Sequence, residues 1–194
     1  MTNTERFDRL DAYIEEGRIL RFRGADADED GREHACLLVS LAPEVMDGDV
    51  DSCPASVLPE WLAHLTPALN DCVSEGAWPE IVREYARVVR IGASTLGDAG
   101  WRRVQAQFLL AVHAEAPSLE GENLAALRRL VRDGNEPSAV AWLAAWSARA
   151  SGAERISGVV WTVWATDEEE EASWDRMARA MFAIIEAECA AAAS

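Results

Sequence analysis

Apolar residues return at three- and four-residue intervals through almost every segment of this chain, the spacing a helix needs to bury one face. Phe7, Leu10, Tyr13 and Ile14 form the first stripe, opened by Thr2 and Glu5 in capping-box spacing and stopped at Gly17. Cys36, Leu37, Val39, Leu41 and Val45 predict a second helix, weakened near Pro43. Trp61, Leu62 and Leu65 predict a short third, closed by Pro67, with Thr66-Pro67 starting the next turn as cap and first residue. After Trp78-Pro79, the residues Ile81, Val82, Tyr85, Val88 and Val89 describe a helix of about three turns. Asp98 is placed to cap another, with Trp101, Val104, Phe108, Ala111 and Val112 as its face and Pro117 as its end.

Beyond Pro117 the pattern continues. Ser118 precedes Leu124, Leu127, Leu130 and Val131; Pro137 precedes Val140, Trp142, Leu143 and Trp146; Ser151 and Glu154 make a further capping box. Ile156–Trp164 is rich in Val and Ile and has strand character, but the cap before it favours helix. Thr166 with Glu169 opens a long last helix carrying Trp174, Met177, Met181, Ile184, Ile185 and Cys189. The expectation is an all-α compact bundle of about eight or nine short helices. No unit of about 30–45 residues recurs, so a regular repeat solenoid is not expected. One helical domain, 1–194, follows from the length, divisible into halves 1–92 and 98–194 at the Gly-rich stretch Gly92–Gly100.

With 49% apolar residues the chain can bury a core. Its net charge of −16 argues against direct nucleic-acid binding, which depends on Lys and Arg neutralising phosphates, and against docking on an anionic membrane. No apolar run reaches membrane-spanning length, and Met1–Thr4 lead straight into a charged helical pattern with no signal peptide. All 18 basic residues are Arg, as GC-rich codon usage produces without selection for the guanidinium group. Cys36, Cys53, Cys72 and Cys189 lack paired spacing and read as reduced thiols in a cytoplasmic setting.

Motifs for chemistry are sparse. Asp26, Asp28, Asp30 and Gly31 match the first half of an EF-hand loop, but the position of the bidentate glutamate is Leu37, which predicts a solvated acidic loop. His34 and Cys36, with Cys53 or Cys72, lack knuckle spacing for zinc, and Glu60 and His64 share a helical face without a second histidine. No Gly-x-Ser-x-Gly elbow, phosphate-binding loop or dinucleotide fingerprint occurs. Neither an enzyme, a cofactor nor a metal is therefore expected. The tryptophan pairs Trp142/Trp146 and Trp161/Trp164 suit core packing or an exposed aromatic interface.

The runs Glu33-His34-Ala35-Cys36-Leu37-Leu38, Leu41-Ala42-Pro43-Glu44-Val45 and Cys53–Pro67, with Trp78-Pro79 and Tyr85-Ala86, resemble an uncharacterised family of phage- and prophage-encoded Ala/Trp-rich helical proteins over residues 33–86. The resemblance implies a helical fold and a bacterial host cytosol and supplies no mechanism.

Charge placement says more than charge total. Residues 24–51 hold nine carboxylates against Arg32 alone, and 166–175 hold six against none. Glu168, Glu169, Glu170 and Glu171 suit a helix N-terminus; Asp26, Asp28, Asp30, Glu44, Asp47, Asp49 and Asp51 have no such local reason. The function expected is a non-enzymatic interaction protein, binding a host or viral protein as an acidic inhibitor that mimics nucleic acid before a basic nucleic-acid-binding partner. The alternative is a structural homo-oligomer or virion component assembled through the Trp- and Met-rich C-terminal half. Acidity that only keeps the protein soluble is the plain third reading.

Overall fold

The computed structural model describes residues 1–21, 25–46, 49–115, 128 and 167–194. In chain order they form α1 (Asn3–Glu15), β1 (Ala25–Ala27), β2 (Glu33–Ala35), α2 (Leu37–Leu41), two 3-10 turns (Pro43–Val45 and Val50–Ser52), α3 (Glu60–Cys72), α4 (Trp78–Thr95), α5 (Asp98–Glu115) and α6 (Asp167–Ala192). The protein is mostly helical. The described residues hold six α-helices, not eight or nine, and a two-stranded antiparallel hairpin that the all-α reading lacked. The helices expected from Ser118, Pro137 and Ser151, the tryptophans Trp142, Trp146, Trp161 and Trp164, and most of the proposed half 98–194 lie outside the described residues.

Local chemistry explains the first elements. Thr2 and Glu5 form the capping box reciprocally, and Gly17 turns the chain out of α1 at φ +67°. The Arg-rich stretch that follows is extended: Leu20 N–H donates to the Ala35 carbonyl and Ala35 N–H to that of Arg18, a one-residue parallel bridge beside β2. Two arginines, one from this stretch and one from α1, close helix ends. Arg21 donates to the carbonyls of Asp71 and Val73 at the end of α3, and Arg9 donates from α1 to those of Val39 and Ser40 at the end of α2. Each supplies donors to carbonyls that a helix C-terminus leaves without partners.

Two expectations about proline and glycine are corrected. Pro67 does not end a helix; α3 runs through it for 13 residues. Buried Leu62, Leu65 and Thr66 before it, and Leu69 and Asn70 after it, keep one face in the core on both sides, outweighing a penalty of about 3 kcal/mol. Thr66 Oγ1 donates to the Leu62 carbonyl at 2.7 Å and meets the Tyr85 hydroxyl at 2.7 Å, so two buried polar groups satisfy each other. Burial pushes the Tyr85 phenol far above its ordinary pKa. Likewise, Gly92 is no linker residue. α4 continues through it to Thr95, giving 18 residues rather than three turns, and only Leu96 and Gly97 separate α4 from α5.

Within α4, a ring occupies the place that a side chain at Gly92 would take. A Cβ there would lie 2.7 and 2.9 Å from Trp101 ring atoms and 3.2 Å from the Ile185 Cγ2. Trp101 meets Trp61 edge-on at 6.4 Å between centroids, and Trp61 stacks on Phe108 at 6.3 Å. Into this cluster α6 lays Trp174, Met177, Met181, Phe182 and Ile185, all buried, and packs on α3, α4 and α5. No helix among the described residues is long and apolar enough to cross a membrane.

Gly92→Ala gains about 1 kcal/mol of helix propensity but overpacks a rigid ring, and the second effect is larger. Thermal unfolding should show a net loss of about 1–2 kcal/mol. Gly97→Ala, with open space around its position, should stay within about 0.5 kcal/mol of the parent.

Candidate functional site

The first acidic segment folds as a hairpin whose turn is built by one aspartate and one glycine. Asp28 N–H donates to the Arg32 carbonyl, Gly31 N–H donates to the Asp28 carbonyl, and Gly31 takes φ +75°, closing a three-residue loop with a left-handed last position. The Asp28 carboxylate folds inward, accepting from the backbone N–H groups of Arg32 (2.8 Å) and Asp30 (3.1 Å) and facing His34 Nε2 at 3.3 Å. Those contacts, the Arg32 N–H first, hold its pKa below the usual value. The segment that matches half of an EF-hand loop is an Asx-type turn, exposed as expected of a solvated acidic loop.

One side of the hairpin is fastened to α1. Arg32 pairs with Glu16 at 2.7 Å, Tyr13 donates to Glu33 at 2.7 Å, and Arg18 donates to the Glu33 carbonyl at 3.0 Å while its guanidinium lies 3.7 Å above the Tyr13 ring. Asp26, Glu29 and Asp30 are left exposed, and Glu29 and Asp30 enter no ion pair among the described residues.

The other sequence-named carboxylates divide by what they touch. Glu44 is exposed on one side yet grips the buried guanidinium of Arg6 with both oxygens, one at 2.7 Å, and that bond brings its pKa down to about 2. Its charge is spent on holding α1 against the first 3-10 turn. Asp49 accepts from Ser52 Oγ at 2.8 Å, and Asp51 meets His64 Nε2 at 2.7 Å. Asp47 lies outside the described residues, as do the side chains of Glu168, Glu169 and Glu170 at the start of α6; Glu171 is exposed. The hairpin and the Val50–Ser52 turn are thus carried by different helices, α1 and α3.

Some features escaped the sequence reading. Asp51 joins Glu60 and His64, whose helical pairing was legible while the third member was not; one donor atom of each lies within 4.8 Å of the others. An open cleft of about 310 Å³ between α4 and α6 is lined by Glu80, Glu84, Arg179, Phe182 and Glu186. Its carboxylates are bound to Arg179 and Arg87. None of the four cysteines is in a disulfide; burial pushes the Cys53 thiol up to about 11 and raises Cys36 and Cys189. Such thiols are poor nucleophiles and poor metal ligands near neutrality. His34 turns to Asp28, so it does not converge with Cys36, Cys53 or Cys72.

No protein-family model, curated protein or solved structure matches the chain.

Glu44 gives a pH signature. Its folded-state pKa lies below that of an unfolded carboxylate, so its stabilisation is complete above the ordinary range and disappears as pH falls towards about 2. Glu44→Gln should cost about 1–2 kcal/mol near neutral pH, the modest figure reflecting the half-exposed carboxylate. Denaturant titrations should show that difference shrinking as pH falls below the ordinary carboxylate range and vanishing only below about pH 2.

Proposed function

We propose that this is a non-catalytic interaction protein that presents the exposed carboxylates of residues 26–51 to a basic protein surface. The supporting observation is the hairpin itself. Its inward side is tied to α1 by Arg32, Glu33 and Arg18, while Glu29 and Asp30 at its tip carry charge that no arginine among the described residues offsets. A turn fixed by Asp28 and Gly31 offers that charge without the entropy cost of ordering a flexible acidic tail. Asp49 extends the negative surface on the loop before α3.

A basic protein that otherwise binds nucleic acid is the partner whose surface suits such carboxylates, which then stand where phosphates would. If the resemblance of residues 33–86 to phage and prophage proteins is a true kinship, the partner we propose is a bacterial host protein. On this reading the protein is an inhibitor that competes with DNA or RNA. Of the C-terminal face on which the alternative of self-assembly rests, Met177 and Met181 are buried against neighbouring helices, and Trp142, Trp146, Trp161 and Trp164 lie outside the described residues.

Capture from host lysate at low salt tests the reading. The captured proteins should be nucleic-acid binders, should be released by duplex DNA or by raised salt, and should be lost with the triple variant Glu29→Lys, Asp30→Lys, Asp49→Lys. Each position is exposed and outside every helix, so stability should change by less than about 1 kcal/mol. Equal capture by the triple variant, or partners that DNA does not displace, would contradict it.

A further inference from the structure

The loop ahead of α3 gathers three metal-type donors from two segments. Asp51 lies in the Val50–Ser52 turn, Glu60 is the first residue of α3, and His64 follows one helical turn later. The helix puts Glu60 and His64 on one face, and the turn brings Asp51 Oδ1 to 2.7 Å from His64 Nε2. One donor atom of each residue lies within 4.8 Å of the other two. At metal–ligand bonds of about 2.0–2.2 Å, neighbouring ligands on one ion sit about 3–3.5 Å apart. Small side-chain rotations reach that spacing. Asp51, with its side chain 74% exposed, is free to make them, while the His64 side chain is 19% exposed and is held by its helix.

The donor set also selects the ion. Two carboxylates and a neutral imidazole carry −2, which a divalent cation balances. Calcium and magnesium prefer all-oxygen shells, whereas an imidazole nitrogen beside carboxylates suits zinc, cobalt or manganese. Among the described residues this is the only convergent group of three such donors, and His34, which faces Asp28, has no third. We propose that Asp51, Glu60 and His64 bind one first-row divalent transition-metal ion, with water in the remaining positions. Bound metal ties the Val50–Ser52 turn to the start of α3. Its test is separable from that of the partner reading above, since Glu29, Asp30 and Asp49, the positions substituted there, are not ligands.

Calorimetric titration of Zn²⁺ into the reduced full chain tests this. One ion per chain is expected, with affinity weakened about tenfold or more in each of Asp51→Asn, Glu60→Gln and His64→Gln. His34→Gln should bind as the parent does. The exposed, conservative Asp51→Asn and Glu60→Gln keep the test open even if His64→Gln folds poorly. With Co²⁺ as a spectroscopic probe, d–d bands without a near-ultraviolet thiolate charge-transfer band are expected. Absence of Zn²⁺ uptake, unchanged uptake in Asp51→Asn and Glu60→Gln, loss in His34→Gln, or a thiolate band would overturn the proposal.

Discussion

The burial of one face of α6 against α3, α4 and α5 is the contact on which the rest of the described structure depends. Trp174, Met177, Met181, Phe182 and Ile185 enter the core from a helix that begins more than fifty residues after α5 ends. Each fully buried side chain of this size contributes about 1.5–3 kcal/mol relative to exposure. Gly92 makes the approach feasible, because the Trp101 ring and Ile185 both come close to where a side chain would stand. Around that apolar seam lie polar fasteners: Arg103 and Gln107 on Glu188, Arg179 on Glu80, Arg87 on Glu84 and Glu186, and Asp175 on both the backbone and hydroxyl of Ser74. The exposed pairs among these align the helices more than they stabilise them.

Arginine use in the fold explains where the negative charge is left. Arg6, Arg9, Arg18, Arg21 and Arg90 each reach across to another segment, pairing with carboxylates or donating to backbone carbonyls, those of helix ends for Arg9 and Arg21 and of strand β2 for Arg18. A rigid fork with several donors suits both tasks, and a lysine ammonium would serve the second less well. Carboxylates matched to these arginines, such as Glu44, Glu16 and Asp11, are structural. Unmatched ones, such as Glu29 and Asp30, face solvent.

Much of the helical pattern was legible because amphipathic spacing and caps are local. Thr2 with Glu5, the stripe from Phe7 to Tyr13, and the apolar faces of α4, α5 and α6 are of this kind. Pro67 and Gly92 were misread because propensity describes an isolated chain. Here packing on both sides of Pro67, and a ring against Gly92, override it. The hairpin was missed because three-residue strands show no alternation, and its true signal, Asp28 with Gly31 at turn spacing, also fits a calcium loop. Of the candidate site, the acidic composition was visible. Which acids are already neutralised was not, because Arg6 and Glu44 meet across 38 residues. The same holds for Asp51 beside His64, a meeting that only the intervening turn creates.

A functional reading of this acidity thus rests on a few carboxylates that the fold leaves over, not on the total of −16. They sit on a fixed hairpin and on the loop before α3, away from the seam that holds the helices together. Hydrogen exchange of the protein alone and bound to its captured basic partner reads this division most directly, because each segment reports its own protection. Added protection is expected at residues 26–33 and 49–53, with α4, α5 and α6 unchanged; protection confined to α4 and α6 would contradict the assignment of the acidic hairpin as the binding surface.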